Sequence, residues 1–124
     1  MKKIILASLL IVSVSTAFAQ AVTTACSSGT ATTVPGATNN TLYIRSGFKP
    51  VCSANSVVRF LDDVTAQKMT AGSASVKGAS YFGGSTQGGA IQRAGGCPNA
   101  ACGSVAEAQA DLGVTAAATY GASS

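Results

Sequence analysis

Apolar and polar positions change rhythm several times along the chain. Ile4 to Val14 is a short apolar run behind Lys2 and Lys3, and the small-x-small triplet Ala17-Phe18-Ala19 follows it. That order of parts predicts a secretory signal peptide over 1–19, of bacterial style. Cleavage is expected after Ala19, with Ala19-Gln20-Ala21 as a second position of the same shape. The run is shorter than the roughly 20 residues that cross a bilayer, so no permanent membrane span is expected. A single small mature domain over 20–124 remains.

Its first part, residues 20–41, has almost no large apolar side chain and is rich in Thr, Ala, Ser and Gly. It reads as an extended lead-in, bent at Pro35-Gly36. From Thr41 to Phe48, Leu42 and Ile44 alternate with Tyr43 and Arg45, the period of a strand with one buried face. Residues 51–61 carry β-branched and aromatic side chains on both parities and predict a second strand, ended at Asp62-Asp63. The segment 64–69 suits a strand or a short helix equally. Between Ala71 and Ile91 small residues dominate, with Val76, Tyr81, Phe82 and Ile91 as isolated anchors. Lys77-Gly78 is placed to turn one strand into the next. Glycine inside a strand is weak unless another backbone approaches closely. Ala71 to Ser75, low in charge, would be a pairing liability if it lay at a sheet edge.

Ser104-Val105-Ala106-Glu107 has the form of a capping box. Val105, Ala108 and Leu112 follow at helical spacing, which predicts a short helix over about 104–113 with that row turned inward. Gly113 is the expected end, and the tail after it is expected to fray. The fold class is therefore mainly β: a small antiparallel sheet or sandwich with one short C-terminal helix.

The large apolar residues are few, and a thin core in a small exported domain calls for covalent support. Four cysteines, Cys26, Cys52, Cys97 and Cys102, supply it. An even count allows three pairings. Cys26–Cys52 with Cys97–Cys102 is preferred because each closes a local loop. On loop entropy alone the long loop is worth about 3.5 kcal/mol and the short one about 2. The sequence Cys97-Pro98-Asn99-Ala100-Ala101-Cys102 is not the C-x-x-C of a redox pair. With no histidine in the chain it makes neither a mixed zinc site nor a haem attachment. It reads as a clip closed by a Pro-Asn turn.

Charge narrows the function classes. Loss of Lys2 and Lys3 with the leader leaves six basic residues against four acidic, a net charge of about +2. The cations are scattered singly, the pattern of a solvated face rather than of a nucleic-acid surface. Without histidine there is no Ser-His-Asp or Cys-His machinery. Asp62 and Asp63 are adjacent, so in a strand they point to opposite faces. Glu107 and Asp111 are four apart on the expected helix and repel. The Gly-rich stretch 83–89 lacks the lysine of a phosphate-binding loop. No catalytic residue, cofactor or metal ligand is assigned.

What remains is contact chemistry. Tyr43, Tyr81 and Phe82 are the candidate surface contacts, with Tyr120 beside them; partial burial in the core is the competing role. The expectation is a non-catalytic exported protein, periplasmic or extracellular, acting through surface contacts as an envelope, matrix or filament component. Its partners would be other proteins or itself. The alternative is a monomeric periplasmic binding module for a small ligand or a partner protein.

Overall fold

The computed structural model describes residues 21–120. The expected leader and its cleavage position lie outside them, as does the end of the tail. The order of elements is β1 (Thr23–Ser27), β2 (Thr30–Ala31), β3 (Ser56–Asp63), β4 (Lys68–Ser75), β5 (Ser80–Ser85), β6 (Gln92–Gly96) and α1 (Ala106–Ala117). The strands form one six-stranded sheet in the order β2-β1-β3-β4-β5-β6, antiparallel at every pairing. The structure is thus mainly β with one short C-terminal helix, and it is a single sheet rather than a sandwich.

Local chemistry explains each turn. Ser28 and Gly29, both at positive φ, make the two-residue loop between β1 and β2, a geometry that matches strand twist. Asp63 accepts the Ala66 N–H at 2.9 Å in the turn from β3 to β4. That turn resolves segment 64–69: only Lys68 and Met69 join a strand. The turn between β4 and β5 forms one residue earlier than Lys77-Gly78: Val76 and Lys77 take its corners, and the Gly78 N–H donates to the Ser75 carbonyl at 3.0 Å. Ala71 to Ser75 is not an edge. It lies in β4, paired on both sides, and the free edges belong to the two-residue β2 and to β6.

Two expectations for the first half are corrected. Residues 20–41 hold a hairpin, β1 and β2, rather than only a lead-in; its buried side chains, Ala25 and Cys26, are too small to produce a strand pattern. Residues 41–48 form no strand. Their alternation fits a loop held from two sides. Asp62 accepts the N–H groups of Tyr43 and Ile44 at 2.7 and 2.9 Å, and Val34 exchanges backbone hydrogen bonds with Phe48. A buried carboxylate with two N–H donors satisfies itself and fixes the loop. Ile44 then packs with Val34, Ala25 and Phe60 on one face of the sheet.

The other face receives the helix. Its inner row is Ala106, Ala110, Gly113, Val114 and Ala117, all buried. This reverses the predicted orientation. Ala108 is exposed and Leu112 keeps 48% of its surface in solvent. The helix also runs through Gly113 to Ala117, four residues beyond the expected end. Ser104 makes no cap, because it sits inside a 3₁₀ turn over Gly103–Val105, and Glu107 instead accepts the Ser27 hydroxyl at 3.0 Å.

The reason for the reversal lies in the sheet. A Cβ built on Gly72 would overlap the Ala110 carbonyl oxygen and come within 2.5 Å of the Val114 nitrogen. One on Gly83 would overlap the Gly113 carbonyl oxygen, and one on Gly113 would lie 3.1 Å from the Gly72 Cα. Helix and sheet therefore meet at backbone distance, and only the small-residue side of the helix fits. Arg59 and Asp111 pair at 2.8 Å beside this contact, and Lys68 donates to the Ala118 carbonyl at 2.9 Å, where the helix ends.

Gly83→Val is expected to lower stability in urea by at least about 3 kcal/mol, because backbone rather than a flexible side chain must move. Leu112→Ala, on the outer side, should cost less than about 1 kcal/mol; the reverse ranking would mean that the helix packs by its larger residues. Thr70 is buried with its hydroxyl unpaired. Thr70→Val should raise stability by about 1 kcal/mol in the same assay.

Candidate functional site

The four cysteines form the two expected bridges. Cys26–Cys52 closes a separation of 26 residues and Cys97–Cys102 one of 5, with Cα–Cα distances of 5.6 and 5.1 Å. Two bridges accord with an oxidising compartment. The short one is a clip with a defined place. Cys97 donates to the Ala79 carbonyl, Cys102 to that of Gly78, and Gly103 to that of Val76. It fastens the chain leaving β6 onto the β4–β5 turn and aims it over the sheet as α1. Cys102 is itself buried against Val57, Ala74 and Ala106.

Among the described residues, no group of three or more His, Cys, Asp or Glu side chains is placed to hold a metal. The four carboxylates are dispersed. Asp62 serves the 41–48 loop, Asp63 its turn, Asp111 pairs with Arg59, and Glu107 meets a serine hydroxyl. No helix of the described residues is long and apolar enough to cross a membrane.

The three candidate contact residues do not converge. Tyr81 is directed to the helix side, packing against the buried cluster of Val57, Ala74 and Ala106. A Cβ on Gly95 would strike its ring. Tyr43 is half-buried in the loop held by Asp62. Phe82, 39% exposed, lies on the sheet face away from the helix, on the part the loop of Tyr43 does not cover. Adjacent residues of a strand point to opposite sides, so Tyr81 and Phe82 had to part.

That second face is the main surface feature. Along β4, Thr70, Gly72 and Ala74 are buried under the helix, whereas Met69, Ala71 and Ser73 are only half-buried. The loop of residues 32–51 covers the β1–β3 end through Val34 and Ile44. The β4–β6 part has no cover among the described residues. A groove of about 390 Å³ runs there, floored by Met69, Ala71 and Gly84 and flanked by Phe82 and Ile91. A smaller pocket of about 190 Å³ continues it beneath Phe48 and Val51. The exposed large apolar residues of the described chain are Phe48, Val51, Phe82, Ile91 and Leu112, and the first four border this face. Val51 is fully exposed and Ile91 is 76% exposed. Clustered apolar surface of this kind marks an interaction site, unlike apolar residues scattered singly.

The charge at this face is positive. Arg93 stands opposite Phe82 in the β5–β6 register, so it shares Phe82's side of the sheet. Its Nε donates to the Ser80 hydroxyl at 2.8 Å, a neutral partner. Lys49 lies exposed between Phe48 and Pro50. Of the four acids only Asp62 belongs to this side, and it is buried under the loop.

Sequence reasoning found Phe82 and missed Phe48, Val51, Met69 and Ile91. Ile91, a lone large apolar residue just past a glycine-rich loop, carried a readable signal. Compared with known protein families, curated proteins and solved structures, the chain matches none.

Replacing both Cys26 and Cys52 by alanine should cost about 3.5 kcal/mol, and replacing both Cys97 and Cys102 about 2 kcal/mol, if loop entropy dominates. Denaturant titration of the two variants would reveal a larger loss at the short clip if its work of aiming the helix outweighs entropy.

Proposed function

We propose that this protein is a non-catalytic exported component of an envelope, matrix or filament, and that it works through the open face of its sheet. The observation that carries the reading is the uncovered apolar groove between Phe82 and Ile91, continuous with Phe48 and Val51. Such a surface gains free energy when it leaves water, at about 25 cal/mol per Å² of apolar area. Covalent staples suit a part that must hold its shape outside the cell with a thin core. The absence of histidine from the sequence and the separate structural employment of the carboxylates agree with a role in contact rather than turnover.

A second reading is favoured by the groove's size. About 390 Å³, mainly apolar, falls within the range of small-ligand sites. A monomeric periplasmic binding module would show ligand-dependent rises in melting temperature and no change of mass with concentration.

The assembly reading is tested by sedimentation of the protein recovered after export, with its disulfides intact. Multimers should form at micromolar concentration, and Ile91→Asp should raise the concentration needed at least tenfold while leaving the melting temperature nearly unchanged. A wild-type protein that stays monomeric at high concentration in physiological salt would end this reading.

A further inference from the structure

The mate of the open sheet face can be sought on the molecule itself, an inference that rests on the assembly reading above. The helix lies on one side of the sheet and the groove on the other, so the outer side of α1 and the groove face opposite directions. The outer side has its own composition. Ala108 and Thr115 form a low centre, Leu112 stands exposed along one flank, and Glu107 and Asp111 edge the other. Of these, Leu112 is the one exposed large apolar residue of the described chain that does not border the groove.

Charge sorts the two surfaces. Arg93 on the groove side is held only by a serine hydroxyl, and so is Glu107 on the helix side. Each thus has a neutral partner within the molecule and an opposite charge on the far surface. Two grooves face to face would set the positive surface of Arg93 and Lys49 against its own like, and two helices would do the same with the acidic flank of Glu107. A groove against a helix pairs unlike charges and apolar with apolar. Electrostatic complementarity of this sort selects the orientation of docking more than its strength. Dimensions agree as well. Twelve helical residues span about 18 Å, and the eight residues of β4 about 27 Å, so the helix is shorter than the central strand of the open face.

We propose that the protein assembles head to tail, the outer side of α1 of one copy seated in the open sheet face of the next. Each sheet then lies between two helices, its own and its neighbour's. A contact between two different patches does not close on itself as a two-fold dimer does. It continues into a ring or an open filament.

The test uses two blocked variants of the disulfide-bonded protein. Ile91→Asp spoils the groove and Leu112→Arg spoils the outer helix side; both residues are exposed, so both variants should keep the wild-type circular dichroism. Should Leu112→Arg misfold, Ala108→Arg, exposed on the same side, replaces it. In sedimentation velocity the wild type should grow beyond the dimer with concentration. Each variant alone should stay monomeric. An equimolar mixture should give dimers and nothing larger, because one intact groove meets one intact helix. If Ile91→Asp blocks assembly and Leu112→Arg assembles like wild type, the head-to-tail contact is overturned while the groove keeps its role. A wild type that stops at the dimer overturns it in favour of a two-fold contact. A wild type that stays monomeric yet brightens 8-anilinonaphthalene-1-sulfonate, with Ile91→Asp abolishing the signal, overturns both readings and leaves a foreign apolar ligand as the occupant.

Discussion

Gly72 and Gly83 of the sheet touch the backbone of the helix at Ala110, Gly113 and Val114, with main-chain atoms in direct contact at those two points. Ordinary helix–sheet contacts are kept apart by interlocking side chains. Here the separation is set by main-chain atoms, and only a helix side made of Ala106, Ala110, Gly113, Val114 and Ala117 can reach it. This closeness lets a chain with few large apolar residues exclude water from its core. Many small contacts at short range replace a few bulky ones.

The same closeness has a cost in specificity that the covalent framework offsets. A smooth small-residue interface has little to stop a helix from sliding or rotating. The Cys97–Cys102 clip, hydrogen-bonded to the β4–β5 turn, determines where the helix begins. The Arg59–Asp111 pair and the contact of Lys68 with Ala118 anchor its middle and its end. On the far side Cys26–Cys52 and the Asp62 carboxylate do equivalent work for the loop over β1 and β3. What the loop leaves uncovered becomes the groove. Among the described residues, neither the helix nor the loop of residues 32–51 reaches that part of the sheet.

The contrast between strands and helix explains what could be read beforehand. The β3 strand was visible because Val57, Val58 and Phe60 are large and β-branched or aromatic. Residues 41–48 alternate equally well yet make a loop, since Ile44 is buried by packing onto Phe60 rather than by pairing with a neighbouring strand. The helix is legible in the sequence as an element but not as a surface. Its largest residue, Leu112, reads as inward from spacing alone, and the glycines that exclude it lie some thirty to forty residues away in sequence. Tyr81 and Phe82 each looked like a contact residue, and nothing local to them shows which side of the sheet the helix would take.

By itself the sequence determined the β class, the short C-terminal helix and a turn near Lys77, and it favoured the pairing of cysteines into two local loops over the other two pairings. These follow from residue type and short-range spacing. The tertiary structure alone decided which row of the helix turns inward, which glycines serve as contact points, and which of the apolar residues stay in water. Those outcomes depend on the distance between layers, which arises only when β4, β5 and α1 are brought together and Gly72 and Gly83 let main chain meet main chain.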